Sequence, residues 1–307
     1  MLMKNLWLGI VWISCCFSFS PVKSQYFYNS WYYNYDLIWE AGIGNGLMNC
    51  LTDIGGKKGN GGKFIKDLDW RSFKPCFSFY VSATYKEVIA LRLEAQTGLI
   101  RAADSMLQQT DPNPSGRYGR NLSFQSQIKE IKLAAEIHPL FFGWNDQSKA
   151  PYWSPYFTSG ISYFSFNPQA RLHNRWYDLQ PLGLEGQGFA AYNGRRPYKL
   201  NQYAIPIGAG LRYETGPLFN LRLEFVHRIL FTDYLDDVST TYIDPAHFSA
   251  YLDPPSAALA RQLYSRMGEL APGLAPAPGA QRGNAKNKDA YFSIQLKLGY
   301  VFRSRVK

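Results

Sequence analysis

The sequence predicts an all-β fold: an eight-stranded antiparallel transmembrane β-barrel of the outer-membrane type with long external loops. Three observations predict it. Eight segments alternate apolar and polar residues with a period of two, as the two faces of a strand do. Their connections run long, short, long, short, long, short, long, the rhythm of a barrel with tight turns at one end and long loops at the other. After Phe19 no apolar run approaches the ~18 residues of a spanning helix, so a membrane location requires a closed barrel.

Residues 1–24 stand apart. Lys4 precedes the apolar run LWLGIVWISCCFSFS, and Val22-Lys23-Ser24 sets small residues three and one before Gln25, the pattern of a cleaved secretory signal. Cys15 and Cys16 lack the residues that usually precede a lipoprotein cysteine. Removing Lys4 and Lys23 lowers the formal charge from +10 to +8. The bases are not clustered on a helix and the chain is exported, so outer-membrane lipid and lipopolysaccharide headgroups are the expected counter-charge, not nucleic acid.

Residues 25–33 (QYFYNSWYY) are aromatic and uncharged, suited to a membrane–water interface, and 34–305 form the expected barrel. The first strand, Tyr35–Asn49, sets Leu37, Trp39, Ala41, Ile43 and Leu47 opposite Glu40, Gly42, Gly44 and Gly46. A polar loop leads to Phe77–Tyr85, and a tight turn at Lys86 to a third strand from Ile89 to Gln96. Residues 104–119 are a Pro, Asn, Ser and Gly-rich loop. The fourth strand, about Leu122–His138, changes phase between Ile128 and Ile131, which predicts a β-bulge at Lys129–Glu130. Tyr156–Phe166 is aromatic on both faces, so its phase is open, and 168–200 reads as a long Gly-rich loop. Tyr203–Tyr213 and Phe219–Phe231 alternate cleanly around the Thr215-Gly216-Pro217 turn. The loop at about 232–288 holds the acidic TDYLDDVS segment, a helix predicted over Ser256–Leu270 and the tract LAPGLAPAPGA, which is unsuited to packing. Phe292–Phe302 is the eighth strand.

Alternation alone does not say which face is inside, since a soluble barrel shows the same period with the faces exchanged. Composition decides. The polar face is mostly small residues plus four acids (Glu40, Glu94, Glu136, Glu224) and six bases (Arg92, Lys132, Arg212, Arg222, Arg228, Lys297). Such a face suits a narrow lumen in which charges pair with one another, and eight strands leave an interior that side chains fill. The expectation is a plugged barrel, without enzyme activity and without a cofactor.

Other features carry weaker expectations. Asp233, Asp236 and Asp237 offer oxygen ligands to Ca²⁺ but lack the spacing of a calcium loop; capping the barrel mouth is the competing reading. Cys50 and Cys76 bracket the first long loop, either as a disulfide staple or as two unpaired thiols. Trp144 and Trp153 flank the 142–152 turn, which reads either as a docking site for a periplasmic partner or as part of the interfacial aromatic belt. A lipid-modifying enzyme would need a His–carboxylate system near the outer rim; His173 and His247 have Asp178 and Asp244 within five residues.

FTDYLDDVSTTYID (231–244), LEGQG (184–188), IPIGAGLRY (205–213) and RNLSFQSQIKEIKLAAEI (120–137) resemble the PorG-type outer-membrane barrels of Bacteroidetes, with TDYLDDVST the most specific part. The resemblance implies a component of the type IX secretion system, which exports proteins bearing a C-terminal sorting domain and supports gliding. It further implies a periplasmic ring partner built from a lipoprotein and its companion. No catalytic residue carries over. A stand-alone structural or adhesive barrel is the alternative.

Overall fold

The computed structural model describes residues 36–55, 70–105, 117–142, 151–216 and 218–302. The predicted signal peptide 1–24, segment 25–33, the 303–305 terminus and Trp144 lie outside them. Ten strands form one sheet: β1 (Leu37–Leu51), β2 (Lys74–Tyr85), β3 (Ile89–Ala103), β4 (Ser123–Ile137), β5 (Trp153–Ser165), β6 (Pro168–Leu172), β7 (Arg175–Asp178), β8 (Asn201–Glu214), β9 (Phe219–Leu230) and β10 (Ala290–Phe302). Eight of them close into an antiparallel barrel in the order β1-β2-β3-β4-β5-β8-β9-β10, with β10 pairing back onto β1. The other two, β6 and β7, are a hairpin that continues the wall beyond β4.

The ladder fixes the stagger. Ile89 on β3 leads through Ile137, Phe157, Ala209, Phe225, Ile294 and Leu47 to Pro75 on β2. Cys76 pairs with Gly98, so Pro75 stands beside Leu99 of β3. The circuit therefore climbs from residue 89 to residue 99 of one strand, a stagger of ten residues that tilts the strands by about 40°.

Outward positions carry the apolar rows: Ile43, Leu47, Phe77, Phe79, Leu91, Leu93, Ile131, Phe157, Ile161, Leu223 and Leu296 are all exposed. Inward positions are buried and polar toward the end with short turns, where Arg92, Glu94, Lys132, Glu136, Arg222, Glu224 and Lys297 meet. Toward the end with long loops the lumen becomes apolar, filled by Met48, Ile100, Phe124, Ile128, Phe164, Leu230 and Tyr291. The predicted membrane-barrel polarity is the observed one.

That apolar layer explains two departures from the sequence reading. Pairing along β4 is continuous, with Ile128, Glu130 and Lys132 all inward, so there is no bulge at Lys129–Glu130. Ile128 is apolar because it joins the upper lumen, not because it faces lipid. For the same reason β3 runs on to Ala103: its inward Ile100 and Ala102 belong to that layer. The phase of β5 is also resolved, with Tyr156, Thr158, Ser162 and Phe164 inward and Phe157, Ile161 and Tyr163 outward.

The long loops fold over the mouth. Residues 168–200 hold the hairpin and two short 3-10 turns, not a bare loop. Two short helices, Ala246–Tyr251 and Pro254–Leu263, precede a 3-10 turn at Met267–Glu269; the predicted Ser256–Leu270 helix corresponds to the second helix and the turn. Asp253 caps the second, accepting from Ser256 N at 3.2 Å. It stops once Ala257, Ala260 and Leu263 have covered the apolar cap, which they share with Leu179, Leu184, Phe189, Ile243 and Phe248. Arg266 beyond it turns aside to Glu269 and Ser123.

Candidate functional site

All ten lumenal charges expected from the sequence face inward and are buried, and all ten belong to ion pairs. Arg222 is at the centre. Its Nε donates to Glu40 Oε1 at 2.8 Å, its Nη2 to Glu40 Oε2 at 3.0 Å and its Nη1 to Glu136 Oε2 at 2.9 Å. Arg92 reaches Glu136 at 2.8 Å, Glu94 at 3.3 Å and also Glu224. Lys297 donates to both Glu94 and Glu224 at 2.7 Å, and Lys132 lies 3.1 Å from Glu94.

Three acids were missed in the sequence, the least buried being Glu214, 3.4 Å from Arg212. Glu130 pairs with Arg228 at 3.0 Å; the supposed bulge had hidden it. Glu87 pairs with Arg212 from inside the β2–β3 turn, where Val88 N donates to Tyr85 O and the two central residues, Lys86 and Glu87, both adopt positive φ. With them, six buried bases meet six buried acids, and half-buried Glu214 adds a further contact to Arg212 at the floor. Balance of this kind is what a dry interior demands, because an unpartnered buried charge costs several kcal/mol.

Aromatic rings fill the space between the charges. The guanidinium of Arg222 lies 5.6 Å from the Tyr80 ring centre and 5.4 Å from that of Tyr156, in cation–π range. The Tyr156 hydroxyl donates to Glu224 at 2.8 Å, and the Tyr80 hydroxyl donates to Glu40. These rings fit only because the facing positions are glycine: a Cβ on Gly42 would stand 2.6 Å from the Tyr80 ring, and one on Gly210 would strike Tyr156.

The short-turn end is sealed as well. Pro139–Phe141 form a 3-10 turn that places buried Phe141 5.7 Å from the Arg212 guanidinium. Beside it His138 Nδ1 lies 3.1 Å from Ser154 Oγ, and His138 Nε2 lies 3.6 Å from Glu136. This in-line Ser–His–Glu set has no counterpart in the sequence spacing. Its serine is buried and Glu136 is already held by Arg92 and Arg222.

At the other end the loops are stitched together by buried charges. Glu185, from LEGQG, accepts from Ser239 N, Thr240 N and Thr240 Oγ1 at 2.9, 2.9 and 2.6 Å, all within the 231–244 segment. It also takes Arg282 Nη1 at 3.0 Å. Arg120 donates to Asp104 at 2.9 Å and to Asp53 O at 2.7 Å, and it also donates to Arg282 O. These contacts join all four long connections over the mouth.

Asp233, Asp236 and Asp237 serve that lock and do not converge on a cation. Asp233 accepts from Ser239 Oγ at 2.7 Å, Asp236 from Ile54 N and Val238 N at 2.9 Å each, and Asp237 from Tyr198 OH at 2.7 Å. No group of three acid, His or Cys side chains able to hold a metal forms among the described residues. Each carboxylate accepts from a separate donor, an arrangement that fits the capping reading. Burial raises Asp233 and Asp237 to about 7. Burial, then repulsion from neighbouring acids, raises Asp236 and Asp289 well above the usual carboxylate range.

Cys50 and Cys76 are buried and unpaired, so the staple is not formed. The ladder sets Cys76 opposite Gly46, four residues from Cys50, or about 13 Å along the strand. Trp153 opens β5 on its outward face, 54% exposed and level with Tyr213, which places it in the aromatic belt. The His–carboxylate pairs of the enzyme reading are not formed: Asp178 is held by Asn167 and Gln169, and Asp244 caps Ala246 N.

A lumen packed with matched charges, inside a wall whose outer surface is apolar and ringed at the short-turn end by Tyr85, Trp153, Tyr213, Phe219 and Tyr300, has one stable solvent. That solvent is lipid. The chain is an integral outer-membrane β-barrel. Its short turns accordingly face the periplasm and its long loops the exterior. No protein-family model matches the chain, and no curated protein matches it. Among solved structures the barrel is similar to outer membrane protein AlkL in lipid bilayers (12% identity, TM-score 0.37, 94% of this chain and 98% of that one). It is also similar to outer membrane protein OprG from Pseudomonas aeruginosa (10%, 0.36, 87% and 96%). A third is the N-terminal β-barrel domain of Pseudomonas aeruginosa OprF (9%, 0.33, 87% and 98%).

Proposed function

We propose that this barrel is a non-enzymatic component of the type IX protein secretion machinery that anchors or positions a periplasmic ring assembly, a lipoprotein and its partner, and so supports gliding. The observation that carries the reading is the sealed lumen: a barrel filled with six buried, ion-paired bases and six buried acids serves as an anchor, not as a conduit for cargo. A second support is that two stretches resembling the PorG-type family, LEGQG and TDYLDDVST, assemble into one hydrogen-bonded unit through Glu185. Docking in this reading falls to the periplasmic turn that begins at Phe142, itself 61% exposed.

The folded external cap favours one alternative, a stand-alone structural or adhesive barrel acting through its loops. Deleting the gene distinguishes the two. The secretion reading expects sorting-domain cargo to accumulate in the periplasm and the tagged barrel to recover the ring lipoprotein from native membranes. Normal cargo export, with no ring protein recovered, would overturn it.

A further inference from the structure

The buried charges of the lumen are paired, but the outer wall of the barrel carries charges that are not. Among the described residues, the outward positions of the eight barrel strands carry only two full charges, Arg101 on β3 and Lys129 on β4; the β6–β7 hairpin adds Arg171, Arg175 and Asp178. Arg101 and Lys129 are positive, both lie toward the external end, and their strands are adjacent. Among the described residues, no acid occupies an outward position on the eight barrel strands; Asp178, on the β6–β7 hairpin beyond Gln125, is already held by Asn167 and Gln169.

Their height is set by the strand. Ile89, Leu91, Leu93 and Ala95 form the lipid-facing row of β3, and Arg101 lies twelve residues above Ile89 on that same strand. At about 3.3 Å per residue and a tilt near 40°, that is roughly 30 Å along the membrane normal, just past an apolar band about 25 Å tall. Lys129 lies lower, at the edge of the band, within reach of the headgroup layer for a side chain that snorkels. Gln125 pairs with Arg101, and Gln127 with Leu99, so two amides fill the strip of β4 between the cations. The two Cα positions are about 14 Å apart by this register, and each side chain spans about half that distance.

We propose that Arg101 and Lys129, with Gln125 and Gln127 between them, bind the phosphate-bearing headgroup of a glycolipid in the outer leaflet. The ligand class follows from charge and place. Cations on a lipid-facing wall need a counter-ion at their own depth, no ion pair among the described residues includes Arg101 or Lys129, and phosphates are the anions of that layer. Gln125 Nε2 donates to Gln169 Oε1 at 3.5 Å, which leaves its amide oxygen and the exposed Gln127 amide to the hydroxyl-rich sugar next to the phosphates. The inference is independent of the secretion role and needs only the barrel in its membrane.

The test uses the full mature barrel in nanodiscs, with bis-phosphorylated lipid A, the same lipid after phosphatase treatment, and inorganic phosphate as probes. Retention is read by native mass spectrometry and affinity by thermal shift. The wild type should hold lipid A selectively, and R101Q or K129Q should each weaken binding about tenfold, the loss of one charge-assisted hydrogen bond to phosphate. R101K should retain most of the affinity. Both glutamine substitutions lie on the outer wall, so unchanged heat-modified migration on gels will verify that each variant is folded. Equal binding of the dephosphorylated lipid, binding by the double variant within twofold of wild type, or displacement of lipid by an equal concentration of phosphate would each overturn the proposal.

Discussion

Replacing Arg222 by methionine tests the ionic lumen at its most connected point. The change removes three charge-assisted hydrogen bonds, two to Glu40 and one to Glu136, and leaves five buried bases against six buried acids, with half-buried Glu214 besides. Glu40 would keep Tyr80 and Asn220, and Glu136 would keep Arg92. One carboxylate charge nonetheless stays buried without compensation, and breaking a buried pair in this way costs about 3–5 kcal/mol. Methionine fills the slot between the Tyr80 and Tyr156 rings, so little of the loss should come from a cavity. Adding E40Q removes the orphaned charge, and the double variant should recover to within about 1–2 kcal/mol of wild type. Urea unfolding in lipid vesicles, followed by tryptophan fluorescence, gives each value from the midpoint at constant slope. The reasoning fails if R222M lies within about 1 kcal/mol of wild type, or if the double variant is as unstable as the sum of the single ones.

Two further predictions concern the cap. E185A strips the acceptor from Ser239 N, Thr240 N, Thr240 Oγ1 and Arg282 together, so the 231–244 segment should become open to protease and to hydrogen exchange while the barrel still migrates as folded. The cap should also respond to pH, and the sign follows from Asp233, Asp236, Asp237 and Asp289. Burial raises their folded pKa above the unfolded value, so the folded cap binds protons more tightly than the unfolded chain does. The contribution of these four acids to cap stability is therefore fully present below the ordinary carboxylate range and declines as pH rises toward about 7, the value for Asp233 and Asp237. Exchange protection of this segment that increases between pH 5 and pH 7.5 would contradict the assignment.

The barrel was legible because its signal is binary. Lipid selects apolar residues at every second position of Phe77–Tyr85 or Phe292–Phe302, whatever lies inside. The upper lumen was not legible for the converse reason. Where Ile100, Phe124, Ile128 and Phe164 fill the interior, both faces are apolar and the period of two loses its contrast. That ambiguity produced the false bulge in β4, the shortened β3 and the open phase of β5, and it concealed Glu130. Glu87 was hidden differently, since a turn residue is expected to face water. The lock at Glu185 joins residues about 55 positions apart in loops with no periodicity, which single-sequence reading cannot pair.

The way the short turns are fastened bears on what the barrel transmits. Glu87 ties the β2–β3 turn to Arg212 on β8, and His138 ties the β4–β5 turn to Ser154 while Phe141 lies under Arg212. Two of the three periplasmic connections are thus anchored by buried polar contacts in the lumen, not merely by the strands they join. Arg212 is the shared element, so a load applied at either turn is carried across the barrel floor to β8 instead of along one hairpin. A gate would require these contacts to exchange cheaply for alternatives, and a dry, charge-matched interior offers none. The arrangement resists opening and favours holding, which is the mechanical property required of a membrane anchor for a periplasmic assembly.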